Sequence, residues 1–482
     1  VTERPLIIAS NRGPISFVRT EDGDVAARRG GGGLVTALSG ALQLSGGLWV
    51  AAAMSEEDRE QAAEGRMEVA TEDSKFSLRY LAVAPDDYDR YYNGVSNRIL
   101  WFLHHYLWNL SRQPRFDEES ERAWDAYRRV NLMFAEALSE EGDLLAGRPS
   151  YLVQDYHLSL VPAQLRERQP DARINHFSHI PFAGPGYFRT LPASLQGELL
   201  SGLLGADVIG FHAAQWAENF LLCCRTLPEA RVDLRRRTIR WQGREIRVRL
   251  YPISIEVGAL KEEASSDQAA RARRRLSRRL GDRRLVLRVD RTDLSKNILR
   301  GFLAFESFLR THPEWRRRVM HLALLNPSRE SVPEYRTYTR ECLRIADRIN
   351  DELGDEDWQP IEVHLEDDYP RALASYGLYD VLLVNPVIDG MNLVAKEGPV
   401  LNRRNGVLIL SENAGAFAEL GAHALVVNPF DVKGTAEAIH RALEMPESER
   451  AERASRLRSI VRRNRLDRWV QAQLDHLEAV RP

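Results

Sequence analysis

Arg291 and Lys296 follow a short apolar run, in Arg288-Val-Asp-Arg291-Thr-Asp-Leu-Ser-Lys296-Asn. A fork-shaped guanidinium and a compact ammonium on one loop suit a diphosphate, on which charge grows as a bond to it breaks. The same stretch reads as readily as a solvated, salt-bridged loop. A second segment runs Val384-Asn-Pro-Val-Ile-Asp389-Gly-Met391-Asn392-Leu393-Val-Ala-Lys396-Glu397. There an apolar run ends in a glycine-containing turn that opens a helix-forming sequence. Unpaired N–H groups at a helix start suit phosphate or sugar oxygens. Gly390 lets a ligand approach the backbone. Glu397, read as about two turns into the helix, can accept from a ribose diol. The alternative is a purely structural strand–turn–helix with Asp389 as its N-cap.

Two further segments follow apolar runs near the start of the chain. Ser10-Asn-Arg12-Gly-Pro is joined by the glycine-rich stretch Arg28-Arg-Gly-Gly-Gly-Gly33-Leu34, which opens an expected helix Leu34–Leu44. The spacing fits neither a dinucleotide fingerprint nor a P-loop, and a flexible loop is the competing reading. Gln154-Asp155-Tyr-His157 and His179-Ile-Pro-Phe182 place Asp155, His157 and His179 on one rim of strand ends. A metal set is disfavoured, because no third or fourth ligand follows at suitable spacing. Polar contacts to sugar hydroxyls fit better, while a lone histidine at a strand end is often structural.

These positions need strands that end at a common edge. Strand-length apolar runs occur at Pro5–Ala9, Tyr151–Val153, Ile174–Phe177, Val208–Phe211, Leu285–Val289, Val319–Leu325, Val381–Asn385 and Val407–Leu410. Helical patterns such as Glu121–Glu140 and Arg300–Arg310 lie between them. Such alternation implies βαβ units and parallel sheets covered on both faces. Ligands in such sheets bind outside the carboxyl ends of the strands. Thr238–Tyr251 reads as a hairpin turning at Gln242-Gly243, and Glu262–Arg279 as one charged helix. A boundary near Pro252–Leu260 gives residues 1–255 and 256–465 as two Rossmann-like α/β domains with a cleft between them. The amphipathic helix of residues 466–482 is expected to pack back on the first.

The 482 residues are 44% hydrophobic and 28% charged, with a formal net charge of −2, so no global basic field points to nucleic acid or an acidic membrane. Five lysines occur, and two of them, Lys296 and Lys396, fall inside the segments above. The three cysteines, Cys223, Cys224 and Cys342, have no metal-ligand spacing and suit a reducing compartment. No secretory leader or membrane span is read, so a cytoplasmic location is expected.

In order along the chain, Ser10-Asn-Arg12, Gly32-Gly33-Leu34, Tyr91-Tyr92-Asn93, Trp101, Asp155-Tyr-His157, His179-Ile-Pro-Phe182, Arg291 with Asp293 and Ser295-Lys296, Pro327-Ser-Arg329, Asp389–Glu397 and Asn428-Pro-Phe-Asp431 resemble the trehalose-6-phosphate synthase family. Actinobacterial members are the nearest in pattern. That resemblance implies the GT-B fold, two Rossmann-like domains facing across a cleft, and a retaining hexosyl transfer. The donor would be a nucleoside diphosphate glucose, GDP- or UDP-linked, and the acceptor glucose 6-phosphate. His179, Arg291, Lys296 and Asp389 take the catalytic roles it implies. Gly33, Met391, Asn392, Leu393 and Glu397 would bind the donor. Arg12, Tyr92, Trp101, Asp155, His157 and Arg329 would bind the acceptor, with Arg12 and Arg329 on its phosphate. No metal or cofactor is implied. The partners are small molecules, with no nucleic acid and no membrane, and homo-oligomerisation stays open.

Three positions depart from the family pattern. Gln154 stands where histidine is common, Ile388 where arginine is common, and His212 where glutamine is common. Ile388 keeps open a rival reading, a pseudo-glycosyltransferase coupling GDP-valienol to validamine 7-phosphate. A catalytically silent sugar-phosphate sensor is a third, against which the intact Arg291, Lys296 and Glu397 weigh. Glu366, Asp367 and Asp368 lie where a carboxylate could accept from a guanine. The chain ends just after its last helix, so no phosphatase domain is expected.

Overall fold

Among the described residues twelve strands lie in the first half: β1 (Leu6–Ser10), β2 (Ile15–Arg19), β3 (Val25–Arg29), β4 (Leu48–Ala52), β5 (Arg66–Ala70), β6 (Lys75–Leu81), β7 (Ser150–Gln154), β8 (Arg173–Ser178), β9 (Val208–Phe211), β10 (Arg231–Asp233), β11 (Thr238–Trp241) and β12 (Arg244–Leu250). The structure is a computed structural model describing residues 4–20, 22–29, 38, 42, 47–70, 75–145 and 147–480. It divides into two compact units, Val1–Pro252 with Leu466–Pro482, and Ile253–Arg465.

In the first unit ten strands form one sheet in the order β10-β11-β12-β9-β8-β7-β1-β4-β6-β5, and β2–β3 is a separate hairpin. From β12 to β6 every pairing is parallel. β1, β4 and β7 are buried along their whole length, as strands covered on both faces must be. The chain builds outward from β1 through β4 on one side and from β7 through β8 on the other. The switch point is therefore β1/β7, where ligands bind in open α/β sheets. Ser10–Arg12 and Gln154–His157 leave the sheet there.

Helix Glu118–Leu144 fixes the loop after β7. Asp117 caps it by accepting from Ser120 N at 3.1 Å. Tyr127 Oη donates to Tyr156 O at 2.7 Å and accepts from Ser159 N at 3.2 Å. Asn131 donates to His157 O at 3.1 Å and accepts from Leu160 N at 3.0 Å. Helix Leu466–Glu478 packs on β8 and β9, with Trp469 Nε1 donating to Tyr251 O at 3.0 Å and Asn175 Nδ2 to Gln473 Oε1 at 3.3 Å.

The second unit carries β13 (Arg284–Arg291), β14 (Val319–Asn326), β15 (Ile361–Leu365), β16 (Val381–Val384), β17 (Val407–Ser411) and β18 (Leu425–Val427). They form an all-parallel sheet in the order β15-β14-β13-β16-β17-β18. Its switch point is β13/β16. Phe302, Phe305 and Phe308 of helix Ile298–Thr311 fill one face of its core.

The expected charged helix over residues 262–279 is two helices, Val257–Glu263 and Asp267–Leu280. Ser266 starts the second by accepting from Ala269 N at 3.3 Å. The β11–β12 hairpin turns at Gln242 (φ 49°) and Gly243 (φ 77°), the paired positive φ that matches strand twist. Gly33 and nearly all of the expected helix Leu34–Leu44 lie outside the described residues. Among the described residues no helix is long and apolar enough to cross a membrane.

Candidate active site

In the second unit the turn Leu294–Lys296 follows β13. Asp293 shapes it, its Oδ1 accepting from Ser295 N and Oγ, both at 2.9 Å. Asn297 (φ 60°) then swings the chain into helix Ile298–Thr311, and its Nδ2 donates to Asn385 O at 2.9 Å and Pro429 O at 2.7 Å. The turn is thereby tied to the segment after β16.

Across that tie Lys296 Nζ donates to Asp389 Oδ2 at 2.5 Å. Asn392 Nδ2 reaches the same oxygen at 3.1 Å. Asp389 is not the helix cap: helix Val394–Leu401 begins later, and Asn392 (φ 74°) accepts from Ala395 N at 3.3 Å. The Asp389 backbone is held by Asn413 O and Gly415 N, each at 3.1 Å. Met391 is buried, its carbonyl accepting from Ala416 N at 2.8 Å. Leu393 is the residue before the helix, and its carbonyl accepts from Glu397 N at 2.9 Å. Because the helix starts at Val394, Glu397 lies in its first turn and not two turns in. Ile388 is buried. Lys396 faces away from this cluster: buried, it pairs with Glu419 at 2.5 Å and donates to Ile253 O at 2.6 Å.

Beside the Lys296–Asp389 pair is a cavity of about 200 Å³ bordered by Asp290, Arg291, Asn326, Asp368, Tyr376 and Glu397. Arg291 is exposed at the end of β13. Burial pushes the Glu397 carboxyl above its ordinary range, and Tyr376 Oη donates to it at 3.0 Å. Burial also pushes Asp290 up to about 6, against the pull of Arg288 and Lys296. Arg371 engages Glu366 and, at 3.2 Å, Asp368, while exposed Asp367 accepts from Asn326 Nδ2 at 3.1 Å. Arg329 (φ 47°) also belongs to this unit. Its Nη1 lies 2.6 Å from Asp293 Oδ2 and 3.1 Å from Tyr335 Oη. One carboxylate, Asp293, thus orders both the Lys296 turn and the Arg329 guanidinium.

The first unit assembles the remaining residues around β1, β7 and β8. Asp155 sits at φ 72°, a conformation that costs about 1–3 kcal/mol and collects at functional sites. Its Oδ1 accepts from His179 N at 3.1 Å, and its Oδ2 lies 3.9 Å from His157 Nδ1. Gln154 Oε1 lies 3.0 Å from His179 Nε2. Burial first, then His212, His176 and His157, hold His179 well below the usual histidine range, so it is a neutral imidazole. His212 bonds Tyr251 O at 3.1 Å, its ring 5.4 Å from that of His179. Trp469 of the C-terminal helix stands 5.9 Å from His179.

Tyr92 lies on the π-helical segment Arg90–Leu100, a geometry frequent at functional sites. It is stacked between Tyr88 (5.6 Å, 14°) and His157 (5.8 Å, 11°). Asn11 Nδ2 donates to Tyr88 Oη at 3.2 Å, and exposed Arg12 follows it. Trp101 is buried, stacked on His105 at 3.9 Å and 5.9 Å from Tyr156. Sequence reasoning missed Tyr88 and Tyr376. Tyr88, Tyr91 and Tyr92 stand at helical spacing, a signal that could have found the first; nothing local marks Tyr376.

A family profile described as glycosyltransferase family 20 matches residues 4–479. The trehalose-6-phosphate synthase of Mycobacterium marinum is 37% identical over 490 residues, covering 99% of this chain and 94% of that protein. A bifunctional trehalose-6-phosphate synthase/phosphatase of Thermoproteus tenax is 36% identical, and the match spans 96% of this chain but 62% of that longer protein. Among solved structures, an α,α-trehalose-phosphate synthase (UDP-forming) from Burkholderia xenovorans in complex with glucose-6-phosphate superposes with TM-score 0.83. It is 30% identical, over 98% of this chain and 100% of that one.

Proposed function

Since the chain belongs to glycosyltransferase family 20 and has its GT-B fold, we propose that it transfers glucose from a nucleoside diphosphate glucose to glucose 6-phosphate, giving α,α-trehalose 6-phosphate with retention. The observation that carries this reading is the Lys296–Asp389 pair at the switch point of a parallel sheet, with Arg291 on the same edge. A cation already oriented by a carboxylate is preorganised for the charge that grows on a departing diphosphate.

In this mechanism Lys296 and Arg291 stabilise the leaving group, and the Asp389–Leu393 turn receives phosphate and sugar oxygens. Glu397 takes the ribose diol inside the adjoining cavity. Asp389 and the neutral His179 bind donor hydroxyls and orient the sugar. The departing phosphate accepts the proton of the incoming hydroxyl, which attacks on the face it leaves. Arg12 and Arg329 hold the acceptor phosphate, and Tyr92, Trp101, Asp155 and His157 line the acceptor sugar. Positioning and electrostatics carry the reaction, with cationic side chains in the place a metal could take.

The test is a matrix of UDP-, GDP- and ADP-glucose and GDP-valienol against glucose 6-phosphate and validamine 7-phosphate. Nucleoside diphosphate release with a sugar pair is expected. Turnover with the cyclitol pair alone would overturn the reading.

A further inference from the structure

Arg288 is fully buried on β13, a strand at the centre of the second unit's sheet. Its Nη1 donates to Asp290 Oδ2 at 2.7 Å and to Lys296 O at 3.0 Å, and its Nη2 donates to Asn385 Oδ1. Its Nε has no hydrogen-bond partner among the described residues. Burying a guanidinium is costly even when paired, and apolar replacements of buried ion pairs are often neutral or stabilising. An interior strand of a parallel sheet asks for Val, Ile or Leu here.

A second position is also set against stability. Gly301 lies inside helix Ile298–Thr311 and costs about 1 kcal/mol relative to alanine. A Cβ there would stand 2.6 Å from Arg288 Nη2. Glycine leaves the slot the guanidinium fills. From that slot Arg288 grips the strand end through Asp290, the turn that presents Lys296, and the segment leading from β16 to Asp389.

We propose that Arg288 is a positioning residue for the leaving-group clamp, seated in a slot that Gly301 leaves open, and that it holds Lys296 in register with Asp389. The proposal rests on the synthase reading. It explains why both positions carry residues that the fold alone would not favour.

The experiment is a double-mutant cycle of Arg288→Met and Gly301→Ala, with kcat, donor KM and Tm measured for each protein. Arg288→Met strands the buried Asp290, so its Tm is expected to fall, and kcat is read on the folded protein well below that Tm. Its kcat falls roughly tenfold to a hundredfold, the scale of a misplaced catalytic group, while donor KM moves less. Gly301→Ala lowers kcat when Arg288 is present and adds no loss in the Arg288→Met background. Unchanged kcat in Arg288→Met, or equal losses from Gly301→Ala in both backgrounds, overturns the proposal. If Arg288→Met does not fold, Gly301→Ala decides alone: a kcat equal to the wild type's refutes the slot. A wild type without glucosyl transfer refutes the synthase reading instead, so the two failures are distinct.

Discussion

Replacing Lys296 by Met keeps most of the side-chain stem and removes the ammonium that lies 2.5 Å from Asp389. The two side chains are 12% and 15% exposed. Breaking a fully buried pair costs about 3–5 kcal/mol, and the residual exposure here discounts that to about 2–3 kcal/mol of stability. The catalytic loss is separate. Removing one preorganised contact to a developing charge costs about 3–4 kcal/mol in the barrier, a fall of roughly 10²–10³ in kcat. Lys396→Met is the matched control, because Lys396 also lies 2.5 Å from a carboxylate, Glu419, but is buried away from the cavity. The assay is initial-rate release of nucleoside diphosphate under saturating substrates, with Tm from thermal scanning. Lys396→Met should lose Tm while the folded enzyme keeps kcat within about threefold. A Lys296→Met enzyme with near-normal kcat, or a Lys396→Met enzyme impaired as severely, would refute the assignment of the clamp.

Arg329→Ala should abolish transfer to glucose 6-phosphate while donor hydrolysis continues; loss of both rates together would remove Arg329 from the acceptor phosphate. The same variant strands Asp293, whose side chain is fully buried, so its Tm should drop more than that of an Arg329→Ala, Asp293→Asn double variant. Asp290, raised to about 6 in the fold against about 4 unfolded, contributes stability present below pH ~4 and lost as pH rises through 6. Asp290→Asn should therefore gain Tm relative to the wild type as pH goes from about 4 to 7; parallel profiles would contradict the buried carboxyl. Glu397→Gln removes a buried acid held above its ordinary range, so it should raise donor KM with no loss of Tm. An unchanged donor KM would place the ribose elsewhere.

Much of the frame was legible because apolar runs and their ends were local signals. β1, β7, β8, β9, β13, β14, β16 and β17 all stand where such runs occur. β6 (Lys75–Leu81) and β15 (Ile361–Leu365) were not, since polar residues interrupt strands near a sheet edge. The site was legible as residue types but not as partnerships. Lys296 and Asp389 lie far apart in sequence, and only the side-by-side pairing of β13 and β16 brings them together. The helix start was misplaced because the Asp389 carboxylate bonds Lys296 instead of capping a helix, and the helix begins only at Val394, after Leu393. Gln154 looked like a defect in a motif; the fold gives it His179 as a partner. The π-helical segment that aims Tyr92 at His157 has no sequence signature that periodicity reveals.

The central claim is a retaining transfer to a phosphorylated sugar, and one spectrum tests it. The enzyme is incubated with glucose 6-phosphate and a nucleoside diphosphate glucose labelled with ¹³C at the anomeric carbon, and the product is read by NMR. The account predicts a single labelled α-anomeric carbon in a 1,1-linkage, that of α,α-trehalose 6-phosphate. A β-configured linkage, or labelled free glucose as the sole product, would contradict it.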